Sequence, residues 1–577
     1  MNSADFASNR FGPRIEPDGV VFQLWAPSAG QVAVTIGDAA PMAMARDPNG
    51  FWSAKAQAAP NTLYRFDVDG QHVPDPASRR QPSDVSGPSQ LVDGAAYRWR
   101  HPNWAGRPWE DAVLYELHTG ILGGFEGVRA KLAGIAALGV TAVELMPIAD
   151  FAGARNWGYD GVLPFAPDST LGEPDALRAL IDEAHGLGLM VFLDVVYNHF
   201  GPEGNWLPAY VPEFFDPRKS TPWGPAINFG ASAVRRFFIE NALYWLTDFH
   251  FDGLRLDAVH AIPDRSWLIE LANVVRGRFP DRHIHLVVEN EANDAELLAS
   301  GINAQWNDDF HNAMHVLLTG ETHAYYAGFS QRPAELLARG LAGGFIYQGE
   351  TPPNGSRPRG QPSGALPPSA FVNFLQNHDQ VGNRAMGERL SHLADHRALK
   401  AAMALLLLCP QTPMLFMGEE VGAREPFLFF TAFQGDLARA VREGRRKEFA
   451  GQPGFDDPKA RDRIPDPNAA ESFATSRWTE TALDAAEWRE LVTTLLVLRH
   501  GALTPRLRGC RAIGAKAVGL RAVVARWRLS DGAILTLALN LDPDAVAADL
   551  PKGEPRFGQG GMDGNIQPFS CLAWFES

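Results

Sequence analysis

Four carboxylates in this chain share one setting. Each stands at or near the end of a short apolar run, with a histidine or another acid close behind. Asp194 opens DVVYNH over 194–199, and Asp257 lies in GLRLDAVH over 253–260. Glu289 follows HLVV at 285–288, and Asp379 closes FLQNHD over 374–379. His199, Arg255, His260 and His378 travel with them. Carboxylates gathered at one place can attack an electrophilic carbon and can donate or accept protons. Arg255 precedes Asp257 by two residues, so on a strand both point to the same face, where the guanidinium can keep the carboxylate ionised.

Such residues converge only if the runs that carry them belong to one closed sheet. Eight strand-like runs occur, at 112–117, 141–146, 191–195, 253–257, 285–289, 344–348, 371–375 and 413–417. Helical faces lie between them: Val128, Leu132, Ile135 and Ala136, then Leu177, Leu180, Ile181 and Ala184, then Phe238, Ala242, Trp245 and Phe249. Eight strands alternating with helices predict an α/β fold, a (β/α)8 TIM barrel with its active site at the C-terminal strand ends. Before the barrel, short strands near 20–25, 32–36 and 62–68 predict an N-terminal Ig-like β-sandwich, 1–98. A Pro-, Ser- and Gly-rich stretch at 73–93 reads as an extended linker. The barrel is placed at 99–502, with a loop-built subdomain at about 199–231 and a closing helix around 488–500. A small C-terminal β-domain is placed at 503–577.

The bulk properties narrow the partners. Lys and Arg number 52 against 67 Asp and Glu, a formal charge of −15, which opposes nucleic-acid and anionic-membrane binding. Three well-separated cysteines, Cys409, Cys510 and Cys571, form neither a disulfide framework nor a zinc pattern and fit a reducing compartment. The N-terminus has no apolar signal core, and the run at 401–409 is too short to span a bilayer and reads as a buried helix. The expectation is a cytoplasmic protein without cofactor or bound metal.

Taken together, DVVYNH, GLRLDAVH, the glutamate after HLVV, and FLQNHD resemble the four signature regions of the α-amylase family, glycoside hydrolase family 13. The resemblance covers nearly the whole chain, and the N-terminal part resembles a family-48 carbohydrate-binding module. It implies a retaining attack on an α-glucan, with Asp257 as nucleophile, Glu289 as general acid/base and Asp379 as a third acid gripping sugar hydroxyls. Retention requires the first two carboxyl groups to stand roughly 5–5.5 Å apart. Crowding by Asp257 and Asp379 is expected to keep Glu289 protonated. His199 and His378 are implied to bond the sugar at the cleaved position, with Tyr159, in NWGYDGV, as the platform beneath it.

Further strings resemble one subgroup of that family: YELH at 115–118, YNHFGPEGN at 197–205, WNDDFH at 306–311, the stretch from His315 to Glu321, and NHDQVGNR at 377–384. The subgroup hydrolyses the α-1,4 bond beside the terminal trehalose of malto-oligosyltrehalose, made from maltodextrin by a partner synthase. His260, Trp306, Asp308, Asp309 and His311 are candidates for the leaving-group side. Two motifs depart from the commoner pattern: Glu289-Asn290-Glu291 stands where Glu-Asp-His is usual, and 119–124 lacks the usual Gly-Thr-Phe.

Alternatives stand beside these readings. Asp194 can support the site or touch substrate. Asn198 can bind calcium or make a side-chain hydrogen bond. His260 can be a subsite contact or a packed histidine, and Glu291 rivals Glu289 as the acid. Asn307 or Asp308 can cap a helix. Trp206, Trp223 and Trp306 can stack on sugars or pack. The rival activities are a glycogen branching enzyme, which transfers to a sugar hydroxyl instead of water, and a glucan-binding scaffold without catalysis.

Overall fold

The computed structural model describes all residues except 1–5, 7, 8, 222, 223, 263, 354, 480, 481, 561, 562 and 577. Eight parallel strands close into a barrel. They are β1 (Leu114–Leu117), β2 (Ala142–Leu145), β3 (Met190–Val195), β4 (Gly253–Leu256), β5 (His285–Val288), β6 (Ala304–Trp306), β7 (Phe371–Asn373) and β8 (Thr412–Phe416). Leu114, Ala142, Met190, Phe192, Val287, Ala304, Val372 and Met414 pack into one buried cluster that fills the barrel. A barrel so filled is a core, not a pore, and leaves chemistry to its rim. Gly253 permits part of that packing, because a β-carbon there would lie 2.2 Å from the Phe192 ring.

The amphipathic faces pack as their periodicity requires. Val128 and Leu132 are buried on helix Gly124–Ala137, as are Leu177, Leu180, Ile181 and Ala184 on Pro174–Gly186. The 401–409 run forms the buried end of helix His396–Leu408. Among the described residues no helix is long and apolar enough to cross a membrane. Helix Ala485–Leu498 packs beside His396–Leu408.

One strand assignment needs correction. The sixth strand is Ala304–Trp306, not 344–348. The latter run follows helix Pro333–Gly343, and the amides of Ile346 and Tyr347 donate to the Asp309 carboxylate at 2.8 and 3.1 Å. With those donors spent on a side chain, the segment has no ladder to join, however strand-like its apolar content.

Two antiparallel sheets precede the barrel, one built on Gly19–Trp25 and Phe51–Ala56, the other on Val32–Ile36 and Leu63–Val68. The 73–93 stretch is not a loose linker. Asp75, Ala77, Ser78 and Gln81 are fully or almost fully buried, and the Tyr64 hydroxyl donates to Asp75 at 2.8 Å. The sandwich meets the barrel through polar and aromatic contacts. The Arg10 and Phe11 amides donate to Glu240, and the Arg79 guanidinium lies over Phe165 and Tyr244. After β3, the chain forms a hairpin of Phe215–Thr221 with Gly224–Ile227. Trp223 lies outside the described residues. A four-stranded antiparallel sheet, Arg511–Gly519, Ala522–Arg528, Ile534–Asn540 and Ser570–Glu576, follows the barrel.

Candidate active site

Strand register brings the acids together. β3 and β4 pair Asp194 with Arg255, and β4 and β5 pair Leu256 with Val288. Asp257 and Glu289, one residue further on, therefore leave the barrel side by side. The fully buried Arg255 joins them. Its Nη1 donates to Asp194 Oδ2 and to Asp257 Oδ1, both at 2.8 Å, and its Nη2 donates to Glu289 Oε2 at 2.7 Å. Trp306 supports the guanidinium from behind, 4.0 Å from ring centroid to Arg255 Cζ. A planar guanidinium fixes both the spacing and the orientation of carboxylates that share it.

Each acid has further anchors. Asn198 Nδ2 donates to Asp257 Oδ2 at 2.7 Å and to its backbone carbonyl at 3.0 Å. The Ala258 amide donates to Glu289 Oε2 at 2.9 Å, from a residue held at φ 41°. Glu289 is thus bonded to a cation and an amide as well as crowded by acids. Asp379 stands in the first turn of helix His378–Gly382, where Asn377 caps the Asp379 amide at 2.9 Å. The Tyr159 hydroxyl donates to Asp194 Oδ2 at 2.6 Å, and its ring stacks on His378 with centroids 5.1 Å apart. Gly158 makes this placement possible: its φ is +109°, and a β-carbon would lie 2.0 Å from the Pro147 carbonyl.

Burial and charge act differently on the two histidines. Burial lowers the His199 pKa to about 4, while its Nε2 donates to the Tyr159 carbonyl at 2.9 Å and its Nδ1 lies 2.5 Å from Asn198 Oδ1. Burial opposes a charge on His378, but Asp379 and Glu116 outweigh it and raise its pKa to about 9. His378 Nδ1 lies 2.5 Å from Glu116 Oε1. Burial raises Asp194 to about 7 against the pull of Arg255. Burial also raises Asp308 to about 8, helped by the neighbouring Glu289.

A cavity of about 650 Å³ opens over these groups. Asp257, Glu289 and Asp379 line it, as do Tyr159, His199, His260, Asp308 and His378. Five expected substrate contacts lie elsewhere, among them Asp309, which is fully buried. Asp194 and Arg255 sit beneath the cavity and act on it through their bonds to Tyr159, Asp257 and Glu289. Trp306 is buried behind Arg255, although it was a candidate stacking surface. His311 is fully buried, with Nδ1 2.5 Å from the Leu375 carbonyl and Nε2 3.2 Å from the Tyr326 hydroxyl, and is a strut rather than a sugar contact. Trp206 does not line the cavity either.

Comparison with known proteins agrees with this geometry. Residues 88–223 match the family model "Alpha amylase, catalytic domain", residues 10–84 match "Carbohydrate-binding module 48 (Isoamylase N-terminal domain)", and residues 510–565 match a domain of unknown function, DUF3459. A malto-oligosyltrehalose trehalohydrolase of Saccharolobus solfataricus is 43% identical over 458 residues, covering 76% of this chain and 80% of its own. The chain belongs to the malto-oligosyltrehalose trehalohydrolase family of α-amylase-type glycoside hydrolases. A crystal structure of a Salmonella typhimurium protein assigned as an α-amylase superposes with a TM-score of 0.92 at 44% identity, covering 99% of this chain and all of that one. A 1,4-α-glucan branching enzyme of Burkholderia thailandensis matches only in part, at 35% identity over 45% of this chain and 36% of its own.

The cavity also has lining residues that the sequence did not single out. Trp157, Asn312, Tyr325, Phe329, Arg359 and Asn383 also line it here. Arg359 comes from a Pro- and Gly-rich segment that reads only as a turn. It reaches the site because Asp309, fully buried, holds its Nη2 at 2.9 Å.

Below the rim lies an acid with no such partner. Glu144 on β2 is 1% exposed and pairs in register with Glu116 on β1. Neither of its carboxyl oxygens has a hydrogen-bond partner among the described residues. Burial first, then Asp194 and Glu116, raises its pKa well above the ordinary 4.5. The folded state therefore holds a proton that the unfolded chain releases, and stability falls as pH rises past the unfolded value. The difference in melting temperature between Glu144→Gln and the parent should shift toward the variant between about pH 5 and pH 8. The corresponding free-energy slope is at most about 1.4 kcal/mol per pH unit. Parallel melting curves across that range would show that Glu144 holds no such proton.

Proposed function

We propose that this protein hydrolyses the α-1,4-glucosidic bond next to the terminal trehalose of malto-oligosyltrehalose, releasing trehalose with retention at the cleaved carbon. The observation that carries the reading is the Arg255 fork, which holds Asp257 and Glu289 to one guanidinium at the floor of a cavity that admits sugars. In the first step Asp257 attacks the anomeric carbon while the Glu289 carboxyl group gives its proton to the glycosidic oxygen. The C–O bond breaks, trehalose leaves, and the glucan remains esterified to Asp257. In the second step the Glu289 carboxylate takes a proton from water, the water oxygen bonds to the same carbon, and the ester opens. Arg255 and Asn198 keep Asp257 oriented and ionised. Asp379, His199 and His378 grip the hydroxyls of the ring being cleaved, and Tyr159 lies beneath it. His260 and Asp308 face the leaving sugars.

Membership of the family supports the substrate, and the three acids meeting in one cavity oppose a non-catalytic scaffold. We place the sandwich at 1–98, the catalytic barrel at 99–502 and the C-terminal β-domain at 503–577. A malto-oligosyltrehalose synthase would supply the substrate, since a 1,1-linked chain end must be made before it can be cut. Three buried, unpaired thiols favour a cytoplasmic setting.

Product analysis tests the reaction. Malto-oligosyltrehalose should yield trehalose and a shortened maltodextrin as the main products, whereas plain maltodextrin should yield no trehalose. New α-1,6 branches without trehalose release would overturn this reading in favour of a branching enzyme.

A further inference from the structure

Two of the strings that mark the subgroup, His315 to Glu321 and the end of NHDQVGNR, contain no residue used by the chemistry above. They meet in space. Arg384 Nη1 and Nη2 donate to the two oxygens of Glu321 at 2.8 and 2.9 Å, a parallel pair of bonds. Glu321 Oε2 also lies 2.8 Å from His315 Nε2. The His315 ring stacks on Tyr326, centroids 3.9 Å apart and planes 5° apart. Tyr326 packs against Tyr325 with centroids 4.6 Å apart.

The chain from Arg384 therefore ends at an aromatic ring on the cleft. Tyr325 is 52% exposed and lines the cavity, and its turn begins at Ala324 with φ 51°. An exposed tyrosine facing a sugar-sized cavity invites stacking, but an irregular turn does not fix a ring by itself. The other end of the chain is firm. Arg445, itself buried, donates through Nη2 to the carbonyls of Gly382 and Arg384 at 2.7 and 2.9 Å, just beyond the helix that carries Asp379. The hydrogen bond from His315 and then the Arg384 pair hold the Glu321 carboxyl well below the ordinary range.

We infer that Arg384, Glu321 and His315 are positioning residues that set Tyr325 at the cleft rim as a stacking surface for the bound sugars. Tyr325 lines the same cavity as Asp308 and Glu289, the group that protonates the leaving oxygen. This rests on the roles given above to Glu289 and to the cleft. Clamp and platform would explain why two strings far apart in sequence go together: one lies just before the ring and the other, which bears Asp379, anchors it.

A double-mutant cycle on the full-length protein tests it, with KM and kcat read from trehalose release. Tyr325→Ala should raise KM about tenfold with a smaller change in kcat, and Tyr325→Phe, which keeps the ring, should recover most of that loss. Glu321→Gln should raise KM about fivefold in the parent and less than twofold in the Tyr325→Ala background, because its effect passes through the ring. An equal factor in both backgrounds, or a fall in kcat with KM unchanged, would overturn the inference. Should Glu321→Gln fail to fold, Arg384→Lys enters the same cycle, since lysine keeps the charge but cannot form the parallel pair. Should the parent release no trehalose, the functional reading fails. The cycle can then be read on maltodextrin cleavage, where the same coupling would still support the clamp.

Discussion

Asp257→Ala is expected to lower kcat roughly 10⁴-fold or more, and Glu289→Gln roughly 10³-fold, with both variants folded. The two losses differ in kind. Without Asp257 no covalent glycosyl ester can form, whatever the leaving group. Without the Glu289 proton the ester can still form if the leaving group needs no protonation. A glucosyl fluoride should therefore restore much of the first step in Glu289→Gln and none of it in Asp257→Ala. Arg255 bonds to both residues, so either substitution leaves the guanidinium with its remaining carboxylate partners. That is why the fold should survive, as melting temperature and circular dichroism would show. Activity within tenfold of the parent in either folded variant would remove that residue from its role. The converse pattern on the fluoride would exchange the two roles.

What the sequence disclosed and what it concealed follow from how locally each feature is written. The acids were legible because each stands at or shortly after the end of a strand, inside a contiguous string. Their convergence was legible because parallel register carries Asp257 and Glu289 outward together. β6 was not, because three residues, Ala304–Trp306, are too few to display a period, while the apolar run at 344–348 imitates a strand and gives its amides to Asp309. Composition also misled at 73–93, where polar residues are buried because Tyr64, Ser89 and neighbouring backbone satisfy them. No local pattern reports such partners. Trp306 and His311 stand near the site but do not line its cavity. Trp306 turns inward beneath Arg255, and His311 lies on the inner side of the helix that follows. Tyr325 and Arg359 were missed because irregular segments deliver them, held by Glu321 with Arg384 and by Asp309 respectively.

Arg255 is the residue on which the local electrostatics turn, and Arg255→Met should damage stability and catalysis together. The parent places one guanidinium among Asp194, Asp257 and Glu289, all partly or wholly buried. Methionine fills comparable volume but leaves those carboxylates without their shared cation, and His378 is already engaged by Glu116. Breaking a buried ion pair by removing one partner costs about 3–5 kcal/mol, because the stranded charge must be neutralised or hydrated. The acids would answer by taking up protons, and a protonated Asp257 is no nucleophile. The expected result is a fall in melting temperature of several degrees and a loss of at least about 10³-fold in kcat. Near pH 5 the stability loss should be smaller and the activity loss larger, since protonation relieves repulsion at the nucleophile's expense. Arg255→Lys separates charge from geometry. A lysine supplies the cation but cannot reach Asp257 and Glu289 through two fixed nitrogens, so it should recover more of the stability than of the rate. Equal recovery of both would mean that the site needs only a positive charge at this position, and the fork would lose its place in the mechanism.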